Sequence, residues 1–463
     1  MRIEFKNLGA IKKGIIDLKS LNIFCGQNNT GKTYINYLIY TILEVIKNFE
    51  IPIEKKFLKE YTSEKKEIIL DFTEFIKEED IKEILRLIEN EIKEKLPQTF
   101  SVDKEFFKDF QIKFKGEYLK EIEELEKAEE KMFFWATSNN MKCIFEKKKN
   151  SKDLIIRSNG ELSMLTGEMF MFYRYMGEAK DKKIECINRA IFKFLIKILF
   201  PINRITTFPA ERSSLSIFYK ELLLKSYNLM DSFMRDEKDL EKIKGLISKY
   251  PKPLNNYINF LNSLTMEPLK ENKDIFFEIA KKIEDKILNG KYQLDDDKII
   301  YNNKAGEKKL ELYTTSSLVK TIVGITFYLK YMARKYDYFL IDEPELNLHP
   351  SNQRQLARIF AMMINSGIKV IMTTHSPYIM NEFNNLIMLG KISDQERKEE
   401  IMLKHKISEE EILNDSNISS YLIINGQTEE MKKTDYGLEL DTFNEVIDEM
   451  NDLNDEIYSA IED

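Results

Sequence analysis

Apolar and polar positions alternate over residues 2–5 and again over 14–18, which predicts two strands, and the short, mostly apolar run 21–25 predicts a third. A glycine-containing loop follows. Apolar residues then recur at helical spacing over 34–49 (Ile35, Leu38, Ile39, Ile42, Leu43, Ile46) until Pro52 stops the pattern. Residues 53–130 are charged and read as mostly helical. Ile81, Ile84, Leu85, Ile88 and Ile92 form one apolar stripe that Pro97 is expected to end, and a second, densely charged helix is expected over about 117–131. The apolar stretches 141–145 and 154–156, separated by a polar Lys/Asn turn, predict a hairpin, and an apolar helix is expected over about 182–199.

Beyond residue 200 the periods alternate. A strand is expected at 205–209, then helical stretches at about 213–249 and 254–289, parted by Tyr250-Pro251-Lys252-Pro253 as a helical hairpin. Paired strands at 298–301 and 309–313, a helix at 317–335, a strand at 338–341, a helix at 351–365 and a strand at 368–373 complete an α/β pattern. The domain reading is a head in two parts, 1–50 and 201–400, around an insertion at 51–200, with a further region at 401–463.

With 463 residues, 43% hydrophobic and 32% charged, the chain is long enough for two to three domains and too apolar to be disordered. Its formal charge of -7 excludes a chain-wide nucleic-acid polycation. That charge is uneven, however: residues 427–463 carry thirteen acidic and two basic side chains, so the remainder is mildly basic and nucleic acid stays open as a partner. Three scattered cysteines suit neither a disulfide framework nor a thiolate metal site, and no leader or membrane-length apolar run is seen, so a cytoplasmic protein with no membrane partner is expected.

The chemistry concentrates in three places. Gly26-Gln27-Asn28-Asn29-Thr30-Gly31-Lys32-Thr33 is a complete GxxxxGK[ST] string between a strand and a helix. Backbone N–H groups from Gly26 through Thr33, including those of Asn28, Asn29 and Thr30, can cradle a polyphosphate. Lys32 would reach the β- and γ-phosphates and Thr33 would ligate Mg²⁺. The apolar strand 338–341 ends in Asp342-Glu343-Pro344, placing two carboxylates at a strand's C-terminal edge. There Asp342 would serve the Mg²⁺ shell and Glu343 would orient or deprotonate the attacking water. A third strand runs out into Thr373-Thr374-His375-Ser376-Pro377, so His375 can reach the γ-phosphate. Asp295-Asp296-Asp297, by contrast, reads as a solvated hairpin loop.

In this order, GQNNTGKT, FLIDEPELNLHP and VIMTTHSP resemble the ABC-type ATPases of the RecF, SMC and OLD kind, over the first 50 residues and roughly 200–390. The resemblance implies an α/β fold: an ABC-type P-loop ATPase head with a large helical insertion and a C-terminal acidic helical tail. It also implies Mg-dependent ATP hydrolysis, with Asp342 as the Walker B metal residue, Glu343 as catalytic base, Asn347 and His349 in the D-loop and His375 as the H-loop switch. Thr207-Phe208-Pro209-Ala210-Glu211-Arg212-Ser213 is similar to a PAER segment of such proteins, with Arg212 either near the nucleotide or a structural salt-bridge partner.

The signature that contacts nucleotide on a partner subunit would be Thr314-Thr315-Ser316-Ser317-Leu318, with Ser316 and Ser317 as the contacts. Leu318 stands where glycine is expected, so hydrolysis is expected to be slow or partner-dependent. The segment after His375 is too short for the Toprim nuclease of OLD-type proteins. The expectation is therefore a homodimer or higher oligomer through the heads, acting as the regulatory ATPase of a bacterial anti-phage defence system on a separate effector, a nuclease or toxin. The alternative is a RecF-like repair ATPase acting directly on DNA. Finally, Phe443, Val446, Ile447, Met450, Leu453, Ile457 and Ile461 recur at three- and four-residue steps and predict an acidic amphipathic helix.

Overall fold

The computed structural model describes residues 1–49, 67–71, 78–115, 130–136, 141–158, 193–194, 196–235, 250–266, 274–295, 298–304 and 309–462. The chain forms two compact units, one of residues 1–40, 96–112 and 203–463, the other of 41–95 and 113–202.

In chain order the first elements are β1 (Arg2–Leu8), β2 (Ile11–Asp17), β3 (Leu21–Cys25) and α1 (Lys32–Asn48). Next come β4 (Glu67–Asp71), α2 (Glu78–Phe100), β5 (Gln111–Lys115), β6 (Glu130–Ala136), β7 (Met141–Lys147) and β8 (Asp153–Ser158). After β9 (Ile205–Phe208) come α3 (Arg212–Arg235), α4 (Lys252–Met266) and α5 (Ile275–Ile283). The small antiparallel sheet of β10 (Gly290–Asp295), β11 (Lys298–Asn303) and β12 (Lys309–Glu311) leads to α6 (Ser317–Phe327). Then come β13 (Tyr338–Asp342), α7 (Pro350–Asn365), β14 (Lys369–Thr373), α8 (Pro377–Lys391) and α9 (Gln395–His405). The chain continues through β15 (Ile418–Ile424), β16 (Gln427–Glu430) and a short β17–β18 pair (Lys433–Thr434, Gly437–Leu438) to α10 (Asp441–Glu462).

The first unit is built on a nine-stranded sheet in the order β5-β1-β2-β16-β15-β3-β14-β13-β9, to which Gln111 and Ile112 of β5 belong. Its centre, β15-β3-β14-β13-β9, is all parallel. Burial on both faces explains why Leu21–Cys25 and Tyr338–Asp342 are apolar runs rather than alternating strands. The buried polar side chain of Asn22 is tolerated in this core because it is partnered: it accepts from the Lys19 N–H (2.8 Å) and the Ser419 hydroxyl (2.8 Å) and donates to the Lys19 carbonyl (2.9 Å). β15 and β16 lie inside this sheet, a place that the periodicity of residues 401–463 does not signal.

In the second unit β4-β8-β7-β6 form an antiparallel sheet whose β7–β8 pair is the predicted hairpin. Phe145, Leu154 and Ile156 are buried on it. The described part of 53–130 holds the helix α2, which carries the predicted stripe from Ile81 to Ile92, and adds strands that the sequence does not signal. β4, β5 and the start of β6 at Glu130 fall in that range, and the helix expected over 117–131 otherwise lies outside the described residues. β4 (EIILD) and β6 (EKMFFWA) are short runs without a period of two, and β5 (QIKFK) alternates over only five residues, so periodicity gives no clear strand signal there. The expected helix at 182–199 also falls largely outside the described residues.

Two further expectations change. Pro97 does not end α2, which continues to Phe100. A proline in the last turn loses one N–H bond, and the turn is held by packing: the Phe100 ring lies 4.9 Å from Tyr34, 5.2 Å from Tyr37 and 4.9 Å from Phe107. The stretch 254–289 is not one helix, because Asp274 caps a new one, accepting from the N–H groups of Phe276 and Phe277.

Candidate functional site

The loop after β3 turns tightly enough to need its glycines. Gly26 (φ +149) and Gly31 (φ +104) adopt conformations that side chains disfavour. An added Cβ would stand 2.7 Å from the Ile423 carbonyl oxygen at Gly26 and 2.9 Å from the Ile11 side chain at Gly31. Asn29 takes φ +64, which asparagine tolerates, Asn28 is exposed beside it, and the Thr30 hydroxyl donates to the Gln27 carbonyl at 2.8 Å. The loop closes on itself through Lys32, whose ammonium donates to the carbonyls of Gly26 (3.0 Å) and Gln27 (2.8 Å). Burial lowers the pKa of this ammonium, and the neighbouring carboxylates of Glu343 and Asp342 oppose that shift.

The ends of β13 and β14 meet the start of α1. Asp342 is buried, and its two oxygens accept from different hydroxyls: Oδ2 from Thr33 at 2.9 Å and Oδ1 from Thr373 in a very short bond. Glu343 follows at φ +48, with its N–H held by the Thr373 carbonyl (3.1 Å) and hydroxyl (3.2 Å). Burial raises the Glu343 pKa, and the adjacent Asp342 carboxylate adds to the shift. His375 Nε2 lies 3.7 Å from Glu343 Oε1 and is a buried atom with no hydrogen-bond partner. Burial and the Lys32 charge lower the His375 pKa, which favours a neutral imidazole. The three sequence motifs thus converge on one edge of the parallel sheet, where open α/β sheets bind ligands.

Arg212 has two readings in the sequence, and the structure gives a third set of partners. It is fully buried, and its guanidinium donates to the carbonyls of Pro209 (3.1 Å), Asp342 (2.8 Å), Glu343 (2.9 Å) and Pro344 (3.2 Å). It therefore clamps the backbone that carries the two carboxylates. Glu345, which sequence reasoning misses, braces the other side: its carboxylate accepts from the Thr374 hydroxyl (2.9 Å) and the His375 N–H (2.5 Å). Only its place two residues beyond the Asp342-Glu343 pair could point to it. Thr373 is missed because a strand-terminal threonine is an ordinary β residue.

The remaining predicted residues sit apart from this cluster. Asn347 (φ +62) is exposed and donates to the Thr321 hydroxyl at 3.1 Å, which ties the segment after β13 to α6. His349 is the N-cap of α7, its Nδ1 accepting from the Ser351 N–H at 3.3 Å. Ser316 and Ser317 are exposed at the start of α6, and Ser316 is the N-cap without a side-chain capping bond. Cys25, at the end of β3, is buried and its pKa is pushed up to about 12, so it is an inert core thiol.

Thr33 and Asp342 present two hard oxygen donors side by side, which fits Mg²⁺, an ion that takes few protein ligands and completes its shell with water and phosphate. Among the described residues no group of three or more His, Cys, Asp or Glu gathers into a metal site of its own. No helix of the described residues is long and apolar enough to cross a membrane.

The AAA ATPase domain family matches residues 1–380, and the chain belongs to that family. No curated protein matches the chain. Among solved structures it is similar to an SMC head bound to the C-winged-helix domain of ScpA, at 12% identity over 93% of this chain and 95% of that one, with a TM-score of 0.31. It is also similar to the SMC head domain from Thermotoga maritima, at 9% identity over 93% and 97% with a TM-score of 0.30. A third likeness is to an SMC head with an extended coiled coil bound to the C-terminal domain of ScpA, derived from Pyrococcus furiosus, at 12% identity over 97% and 98% with a TM-score of 0.29.

Proposed function

From membership of the AAA ATPase domain family, we propose that this ATPase binds ATP and Mg²⁺ at the edge where the 26–33 loop meets the ends of β13 and β14, and hydrolyses ATP there. The observation that carries the reading is the Thr33–Asp342 hydrogen bond of 2.9 Å with Glu343 and His375 beside it. Thr33 and Asp342 would hold the metal, and Gly26, Asn28, Asn29, Thr30 and Gly31 would offer backbone N–H groups to the phosphates. Bound Mg²⁺ neutralises charge developing on the phosphate oxygens. Lys32 exchanges its two loop carbonyls for phosphate oxygens. Glu343, with its raised pKa, takes the proton of the attacking water at its free carboxylate oxygen. Neutral His375 offers its unpartnered Nε2 as a hydrogen-bond donor toward the γ-phosphate.

The biological setting rests on the motif order, which is that of RecF-, SMC- and OLD-like ATPases. The chain acts as the regulatory ATPase of a bacterial anti-phage defence system. It pairs through its heads and controls a separate effector, a nuclease or toxin, in the cytoplasm. Lys32→Ala should abolish ATP binding, whereas Glu343→Gln should bind ATP and trap it. Turnover that persists in Glu343→Gln would remove the catalytic assignment. Phage challenge of cells carrying the chain with its neighbouring genes tests the setting, with protection expected to vanish in Lys32→Ala. ATP turnover stimulated by DNA with no loss of protection would favour the DNA-repair reading instead.

A further inference from the structure

α10 is amphipathic in sequence, and over its described side chains, 449–461, the apolar side faces solvent. Met450 is 61% exposed, Leu453 57%, Ile457 49% and Ile461 73%, and every described side chain from 449 to 461 is exposed. In sequence the same three- and four-residue steps begin at Phe443 and Val446, so the stripe repeats over the whole helix, which is about 33 Å long at 1.5 Å per residue. Such a stripe on a long helix fits a groove rather than a flat surface.

The rest of the helix identifies the occupant. Between Asp441 and Glu462 there are eight Asp or Glu residues and no Lys or Arg. Glu449 and Glu456 border the stripe on one side. Two copies of this helix packed stripe to stripe would bring like charges together along the seam with no cation to separate them. A groove lined by apolar side chains and rimmed by Lys and Arg meets both features, because the stripe is buried and the acidic flanks are paired.

We propose that α10 is a docking helix for a separate protein that presents an apolar groove rimmed by basic side chains. The proposal rests on the functional reading above only in taking a separate partner to exist. Lys32→Ala, which tests that reading, must leave docking unchanged, so the two fail separately.

A suitable probe is a three-heptad peptide with leucine at its core positions and lysine on both flanks, set against the same core flanked by glutamate. Fluorescence anisotropy with the full chain should show the lysine peptide binding at least about tenfold tighter at low salt, with the gap narrowing as salt rises. Leu453→Asp with Ile457→Asp should weaken that binding at least about tenfold while ATP binding, the control for folding, is unchanged. Equal affinity for the two peptides, or affinity untouched by the double substitution, would overturn the proposal. A photo-crosslinking residue at position 457 of the full chain in its native cells gives the second arm. Adducts should map to an apolar, Lys/Arg-rimmed site on another polypeptide. Adducts to a second copy of this chain, to its own body or to nucleic acid, or no adduct, would count against it.

Discussion

At the end of β13, Asp342 receives hydroxyl bonds from Thr33 and Thr373, Arg212 holds the carbonyls of residues 342–344, and Glu345 reaches across to the backbone of His375. At the start of α6, in the same unit, Ser316 and Ser317 stand exposed, and the N-cap serine makes no capping bond with its side chain. The sequence nominates both places for nucleotide contact. Only the first is built to hold its groups in place before a ligand arrives. Preorganised groups near the reacting phosphate spare reorganisation during the reaction, whereas a helix start whose donors remain open suits contact with a nucleotide held by a second copy. The comparison predicts that substitutions at the braced edge act within one molecule and those at α6 only between molecules.

The largest effect should come from Glu343→Gln. Loss of the base should lower turnover by about 10²–10⁴-fold, with ATP affinity close to that of the parent in equilibrium binding. Next is Arg212→Met. The change strands several buried carbonyls at once, and each bond to a charged donor contributes about 1.5–3 kcal/mol, so denaturant unfolding should show a loss of ~3 kcal/mol or more. Arg212→Lys should recover little, because one ammonium cannot span the carbonyls that a two-armed guanidinium reaches. Full stability in Arg212→Met would mean that the brace is ornamental and would dissolve the contrast with α6.

Much of the braced edge is legible because its parts are consecutive in sequence. The 26–33 string, the apolar strand closing in Asp342-Glu343 and the strand before His375 each carry a local signal, and parallel β pairing brings them together. The braces are not legible. Arg212 acts through backbone carbonyls 130 and more residues away, and no local pattern marks a guanidinium that binds carbonyls instead of carboxylates. Glu345 and Thr373 matter only because β13 and β14 are neighbours. The second unit is less legible for a different reason: β4 (EIILD) and β6 (EKMFFWA) are short apolar runs without a period of two, which periodicity alone does not separate from a buried helix segment. β15 escapes notice because its partner β3 lies almost four hundred residues earlier.

Glu345→Ala isolates the brace behind His375. It removes the acceptor for the His375 N–H and the Thr374 hydroxyl without touching Thr33, Asp342 or Glu343. Turnover should fall roughly tenfold, the scale expected when a group that orients a reacting side chain is lost, while ATP affinity changes little. Glu345→Gln, which keeps one carbonyl acceptor, should fall in between. Ser316→Ala is the matching test of the bare site. With no side-chain capping bond to lose, stability should stay within about 0.5 kcal/mol. Turnover should be unchanged in dilute protein and fall severalfold only at concentrations where chains associate, as read by assays run alongside sedimentation. A drop in dilute monomer would erase the distinction between the two regions.

The smallest effect concerns the cost of keeping Glu343 ready. Burial, helped by Asp342, raises its pKa above the ordinary carboxylate value. A carboxyl whose folded pKa exceeds its unfolded one favours the folded state fully below the unfolded value, and that contribution is lost as pH rises through the folded value. At neutral pH the ionised Glu343 therefore weighs against folding, and at φ +48 its backbone adds strain. Glu343→Gln removes the first burden and keeps the second. Its melting temperature should exceed the parent's slightly at pH 7, by an amount reduced by the partial exposure of the site. The difference should close as pH falls toward the ordinary range of glutamate, about 4.3. The acid limb of turnover should lie above that range for the same reason, because the base form disappears as pH falls through the raised value. A gain in melting temperature that does not vary with pH would trace the stabilisation to backbone strain instead of charge.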